Sequence, residues 1–308
     1  MLGYAMRRLL LLIPIFLAVS IVIFLIIHLV PGDPLDNLVR IGSTPEQKAA
    51  LAATYGLDRP LIEQYLIWLR KLASGDLGDA IVMRRPVASL VRQNLPYSLA
   101  LGAVALLFST VVGVAAGTLA AIYKNTAVEQ GVMTAILLGS TLPSFWLGLL
   151  LILAFAVHLG WFPVSGAKSG ASLVLPVLTI GLGGTALVAR VTRVAMLEVA
   201  QKDFVLLLHA KGLPGIRIQL RHVLRHALLP VVTILGLRIG WILGGAVTVE
   251  FVFARPGLGT LLIKALNQRD YPVVQGCLLM LAIAVMLGTL IGDLVQAAMD
   301  PRVRSAMR

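Results

Sequence analysis

Apolar residues along this chain run on without interruption, instead of alternating. Six such runs stand out: Leu9–Val30, Tyr97–Tyr123, Gly131–Val157, Leu173–Val194, Leu228–Val249 and Val274–Ala297. A hydrocarbon layer ~30 Å thick takes about 20 helical residues at ~1.5 Å each. Each run therefore predicts one membrane-spanning helix. The period-two pattern of a membrane barrel is missing, so strands are not expected. The expected fold class is all-α integral membrane with six transmembrane helices.

The polar segments between the runs are unequal. The longest, Pro31–Pro96, reads as a small helical insert after the first span. Thr44-Pro45-Glu46-Gln47 offers an N-cap, a proline at the first helical position and a capping-box glutamine. A second helix is expected over Leu61–Leu72, with Leu61, Tyr65, Trp68 and Leu72 on one face, ended by Gly75-Asp76-Leu77-Gly78. One reading has the insert packed on the membrane helices as a lid; the other has it touching a delivered substrate or its carrier. The second long polar stretch, Arg190–Arg225, is basic. It holds Arg193, Lys202, Lys211, Arg217 and Arg221, with His209, His222 and His226 in or beside it. Its length and partial helical patterning predict a docking element, not a plain connector.

Charge sets the expected orientation. Arg7, Arg8, Lys124, the basic loop, Arg302, Arg304 and Arg308 fall on one side of the six runs. The short loops opposite hold Lys168, Arg255, Lys264 and Arg269. Cations gather on the cytoplasmic side, so both termini are expected there. The first run is too long, and lacks the small-residue site, for a cleaved leader; a retained signal-anchor helix is expected. The resulting division is 1–94 for the anchor and extracytoplasmic insert, 95–297 for a five-span core with cytoplasmic loop 195–227, and 298–308 for a cytoplasmic tail.

Composition agrees and removes alternatives. The chain has 308 residues, 58% of them hydrophobic and 13% charged, with a mean hydropathy of +0.93. No soluble fold needs this much apolar sequence. The net charge of +12 is concentrated at span ends, where it meets headgroups, so nucleic acid is not an expected partner. One cysteine, Cys277, allows no internal disulfide and no cysteine metal site. The five histidines are scattered or lie in the basic loop, and no metal site is expected. Neither a phosphate loop, nor H-E-x-x-H, nor G-x-S-x-G occurs. No catalytic residues are therefore assigned, and any ATP must be used by another chain.

Three features inside the spans carry candidate function. Gly236, Gly240 and Gly244 recur every fourth residue in the fifth run and offer close backbone approach to another helix. Gly113 with Gly117, and Gly288 with Gly292, repeat the pattern. Arg238 sits about ten residues into the fifth run, about 15 Å deep, where an arginine costs about 2.5–3.5 kcal/mol on insertion scales. At about 100° per residue it stands nearly opposite the glycines. It is expected either to line the pathway and meet an anionic group, or to pair with a backbone carbonyl or a subunit partner. Pro143 breaks the third run, and with Ser140 it is a candidate for the pathway lining.

Taken in order, the motifs resemble a known family. They are Pro31-Gly32-Asp33-Pro34, Gly56-Leu57-Asp58-Arg59-Pro60-Leu61, Leu142-Pro143-Ser144-Phe145-Trp146-Leu147-Gly148, Ala210-Lys211-Gly212-Leu213, Arg221-His222-Val223-Leu224-Arg225, Pro256-Gly257-Leu258-Gly259, Arg269-Asp270-Tyr271-Pro272-Val273-Val274-Gln275 and Asp300-Pro301-Arg302. Over essentially its whole length the chain resembles permease subunits of binding-protein-dependent ABC importers, in the dipeptide/oligopeptide/nickel branch. The resemblance implies the type I importer permease fold and a place in the bacterial cytoplasmic (inner) membrane. It implies half of a translocation pore shared with a homologous permease. It further implies two ABC ATPase subunits that bind ATP and Mg, and a soluble binding protein that delivers cargo outside. Short peptides are the expected cargo; nickel or its chelates, glutathione and other small solutes are the alternatives.

The resemblance also gives the basic loop a role. In such permeases this loop carries the EAA motif, whose short helix sits in a groove of the ATPase. Leu206, Leu207, Leu208, His209, Ala210, Lys211, Gly212, Leu213 and Leu224 are the implied coupling residues, with Gly212 and Leu224 at the motif's glycine and leucine. The chain departs from the pattern in five places, one of them Thr289, near which relatives often have asparagine. Leu206-Leu207-Leu208 replaces Glu-Ala-Ala, and Arg225 stands where many relatives have proline. Arg238 replaces a frequent glutamine and Arg255 a tryptophan. A more apolar docking surface is expected. The rival class is a self-contained secondary transporter, which needs ion-coupling acids within its spans; Asp293 is the one clear candidate. A membrane scaffold, the third class, predicts no ATPase partner.

Overall fold

The computed structural model describes residues 2–29 and 59–299. The helix expected from Thr44 and the tail from Asp300 lie outside the described residues. Within them the chain is helical, with one isolated bridge between Asp79 and Pro86. In order the helices are α1 (Leu2–Leu29), α2 (Leu61–Ala73), α3 (Val87–Ile122), α4 (Ala127–Thr141), α5 (Ser144–Leu151), α6 (Val174–Ala200), α7 (Asp203–Ala210), α8 (Gly215–Arg217), α9 (Leu224–Val252), α10 (Leu258–Asn267) and α11 (Tyr271–Met299). π-helical turns extend α5 over Ile152–His158 and join α8 to α9 over Ile218–Val223.

Four stretches are long and apolar enough to cross a membrane singly: Tyr4–Leu25, Val87–Ile122, Gly170–Ala200 and Tyr271–Ala298. The pair α4 and α5 makes a fifth if it counts as one span, although the two are bent by 105°. The break falls at Leu142-Pro143, as the proline requires: it supplies no N–H and disfavours helix in the residue before it. α9, over 29 residues, corresponds to the remaining expected span. By length and composition the count among the described residues is thus four or five, where the sequence predicts six.

Several boundaries differ from the sequence reading for tertiary reasons. α3 begins at Val87, well before the expected Tyr97, and runs through Pro96. Its extra turns are held by burial: Val87, Leu90 and Val91 pack in one cluster with Leu258, Leu261, Leu262, Ala265, Val273, Val274 and Cys277. α10 occupies a stretch read only as a short loop. Leu258, Leu261, Leu262 and Ala265 recur at helical spacing and are all buried, a pattern that was present in the sequence.

The chain forms two compact units. The first takes the described residues of 1–9, 99–255 and 284–308; the second takes those of 10–98 and 256–283. In the first unit α6 is the central helix. α3 lies against it where Gly113 and Gly117 leave room for Val188 and Thr192. Leu175, Val249 and Phe253 join α6 to α9. In the second unit α2 packs on α1 through Tyr65 and Trp68, whose rings lie 5.5 and 6.0 Å from that of Phe24. The Tyr65 hydroxyl is 2.8 Å from Ser20 Oγ. Tyr65 and Trp68 thus share the expected inward face of α2, whereas Leu61 is exposed.

Candidate functional site

The basic loop folds into α7, a turn, and a lead-in to α9. α7 ends because Gly212 adopts φ +75°, in the left-handed region. The Gly212 N–H donates to the His209 carbonyl at 2.9 Å and the Leu213 N–H to the Leu208 carbonyl at 3.3 Å. These two bonds make a Schellman motif with Gly212 as its left-handed residue. The apolar contact that completes such a motif joins the residues at its two ends. Leu208 and Leu213 both pack on one cluster formed by Ala121, Ala195, Met196, Val199, Val205, Ile218, Val223 and Ala227. A Cβ at Gly212 would meet nothing within 4 Å, so backbone conformation, not space, demands glycine there.

The three leucines divide between two roles. Leu208 faces the cluster together with Phe204 and Val205. Leu206 and Leu207 face outward and are 73% and 59% exposed. Ile216 and Leu220, one helical turn apart, are also exposed. His209, Ala210, Lys211 and Gly212 are exposed, while Leu213 and Leu224 are partly buried against the cluster. Lys202, Lys211, Arg217, Arg221 and Arg225 are exposed as well. The loop therefore presents apolar side chains among cations on a rigid scaffold. The Phe204 and His226 rings, 5.2 Å apart, add a further tie between α7 and α9.

Arg238 packs against α6. Its Nη1 donates to the Gly184 carbonyl, and its guanidinium occupies the place a Cβ at position 184 would take. Among the described residues no carboxylate pairs with it. Gly236, two residues before it, meets α11 instead: a Cβ there would stand 2.9 Å from the Gly292 Cα. Arg238 and Gly236 thus face different helices, as their angular spacing predicts. Of the three-glycine ridge, Gly236 makes the close crossing, whereas a Cβ at Gly244 would meet nothing within 4 Å among the described residues. The surroundings of Gly240 lie outside the described residues.

Ser140 lies in α4 and Pro143 at the break after it, whereas Arg238 lies in α9. α4 meets α6 at Leu182, beside Gly139, whereas Arg238 meets it at Gly184. Two residues on a helix are about 200° apart, so they lie on opposite flanks of α6. The Ser140 hydroxyl donates to the Leu137 carbonyl at 2.9 Å. The Pro143 carbonyl accepts the Leu147 N–H at 2.9 Å and starts α5. Asp293 pairs with Arg8 at 2.9 Å. Among the described residues no three His, Cys, Asp or Glu side chains stand together to hold a metal.

Three polar anchors were not foreseen. Glu129 pairs with Arg193 and also accepts the Asn125 N–H at 2.6 Å. The fully buried Asp270 carboxylate accepts the backbone N–H groups of Ile81, Val82 and Met83 at 2.9, 2.9 and 3.2 Å. Buried Ser98 accepts the Leu258 N–H at 2.8 Å and so fastens the start of α10. Thr126-x-x-Glu129 has capping-box spacing, the one local signal among these; the other partners are far apart in sequence.

Residues 113–305 match the family model of the binding-protein-dependent transport system inner membrane component, and residues 1–102 match the N-terminal model of such membrane components. The chain is 39% identical to the di/tripeptide transport system permease protein DppB of Pseudomonas aeruginosa (strain UCBPP-PA14), over 99% of each chain. It is also 39% identical to the glutathione transport system permease protein GsiC of Escherichia coli (strain K12), again over 99% of each. Its fold is similar to a chain of the inward-facing MetNI methionine ABC transporter, with a TM-score of 0.59 and 21% identity over 68% of this chain and 96% of that one.

Proposed function

The chain belongs to the binding-protein-dependent transport system inner membrane component family, and from that premise we propose how this permease subunit works and what it carries. It is a multi-pass membrane subunit of an ABC importer, and hydrolysis of ATP is done by separate ATPase subunits. In the proposed assembly it pairs with a homologous permease in the bacterial inner membrane, with both termini in the cytoplasm. Two ATPase subunits, which bind ATP and Mg, dock on the cytoplasmic face. A soluble protein delivers cargo on the other side.

The observation that carries the coupling assignment is α7. It is a rigid, glycine-terminated helix that turns Leu206 and Leu207 outward from a buried cluster. Its exposed apolar face supports a docking groove lined by methyl groups, where a Glu-Ala-Ala helix would call for a polar one. ATP-driven closure of the ATPases then moves α7, and α6 and α9 move with it because all three share one core.

Short peptides, glutathione among them, are the proposed cargo, since relatives of equal identity are named for di/tripeptides and for glutathione. Arg238 is proposed to select for a carboxylate, with Ser140 and Pro143 at the break in the third span. Asp293, the acid a secondary transporter would need, is already held by Arg8. The test is uptake of a labelled dipeptide and of glutathione into cells treated with a proton uncoupler while ATP is maintained. Uptake that persists supports ATP coupling; uptake that stops refutes it. Unchanged uptake and selectivity in R238Q would remove the carboxylate role.

A further inference from the structure

Glu129 and Arg193 join two parts of the subunit that the coupling mechanism treats separately. Glu129 lies in the first turn of α4, the helix that ends at the 105° break before Pro143. Arg193 lies near the C-terminal end of α6. One turn further along α6, Ala195, Met196 and Val199 enter the cluster that holds Val205 of α7 and Ile218 and Val223 of the lead-in to α9. Arg193 is therefore rigidly continuous with the coupling helix.

The carboxylate is used on both sides. One oxygen accepts the Nε–H of Arg193 and also lies against its Nη2, so the pair is a charge-assisted hydrogen bond. The other accepts the Asn125 N–H at 2.6 Å, in the turn between α3 and α4 where Asn125 holds φ +61°. Glu129 is 9% exposed, so water competes little for these bonds. Further along, α4 also packs on α6, for instance at Gly139, where an added Cβ would meet the Leu182 side chain at ordinary distance. Apolar packing is non-directional, whereas the Arg193 Nε–H bond to Glu129 is directional.

We propose that Glu129 and Arg193 are positioning residues that make α4, and the broken span it leads into, move as one body with the coupling helix. Loss of the pair would let the ATPases drive α6 and α7 while α4 lags, so that ATP is spent without transport. The proposal rests on the ABC-importer reading, and its test has one arm that needs no cargo.

In the assembled transporter, spin labels replace Glu198 on α6 and Leu138 on α4, both exposed, in a Cys277→Ser background. The distance between them is measured without nucleotide and with ATP plus vanadate. The expected result is one distance in both states for the otherwise wild-type chain, and a nucleotide-dependent distance in E129Q. A wild-type distance that changes with nucleotide, or an E129Q distance that does not, overturns the proposal. The second arm reads dipeptide uptake per ATP hydrolysed. It should fall about fivefold or more in E129Q and R193K, the lower end of site-to-site couplings, and recover in part in the exchanged pair E129R/R193E, where an arginine at 129 cannot accept the Asn125 N–H. A pair with only a folding role would lower the yield of assembled transporter and leave that ratio unchanged. R193K keeps the charge and gives a readout if E129Q does not assemble. An assembly that contains no ATPase would defeat the importer reading and not the tie.

Discussion

Replacing Gly212 separates backbone conformation from steric fit in the basic loop proposed to dock the ATPase. The residue holds φ +75°, and a Cβ added to it meets no atom within 4 Å. A Cβ therefore brings no clash within the described residues, and the alanine penalty comes from the left-handed conformation, about 1–2 kcal/mol for an ordinary L-residue. That is a factor of roughly 5–30 in the population of the closed Schellman turn. Asparagine tolerates the left-handed region and should lose much less. Valine, stiff at χ1, should lose more than alanine. The expected order of ATPase retention is Gly, then Asn, then Ala, then Val, although Asn is larger than Ala. The assay is the amount of ATPase that co-purifies with each variant, read beside proteolysis at Lys211. An order that follows side-chain volume, or an alanine variant equal to wild type in both readouts, would refute the reasoning.

In G184A the new methyl would take the place of the Arg238 guanidinium, so the guanidinium must leave the Gly184 carbonyl. Uptake should fall in G184A and in R238Q, and the double variant should be no worse than the poorer single one, because both remove one interaction; additive losses measured by uptake kinetics would disprove the contact. In D270N one carboxylate oxygen becomes a donor, and the three N–H groups of Ile81–Met83 lose part of their acceptor. At about 1.5–3 kcal/mol for a hydrogen bond to a charged group, amide exchange at Ile81–Met83 should speed up by at least about tenfold.

What sequence reading reached depended on the range of the cause. Gly212 was identified through a family motif, and the structure supplies its physical reason, which is local: a left-handed residue that ends α7. The break at Pro143 was legible because a proline acts on its own helix. The angular separation of Arg238 from Gly236 was legible because helical geometry alone sets it. The neighbour of Arg238 was not, because Gly184 is 54 residues away and nothing in either sequence neighbourhood refers to the other. The early start of α3 was hidden for a similar reason. Pro96 reads locally as a boundary, but burial of Val87, Leu90 and Val91 against α10 and α11 overrides it. α10 was legible and passed over, its spacing of 258, 261, 262 and 265 being plain in the sequence.

By itself, the sequence determined that this chain lies in a membrane, that it is helical, and that it has no phosphate loop of its own. Long apolar runs admit no other solvent, and in lipid each backbone group must find its partner within the same helix. Tertiary structure alone decided which leucine of Leu206-Leu207-Leu208 is buried, which carbonyl receives Arg238, and which cation Glu129 holds. Those outcomes depend on which helix faces which. Inside a membrane nearly every face is apolar, so hydrophobic pattern cannot choose among neighbours. The choice falls to close approach at glycines and to a few polar pairs, and those become visible only once the helices are in place.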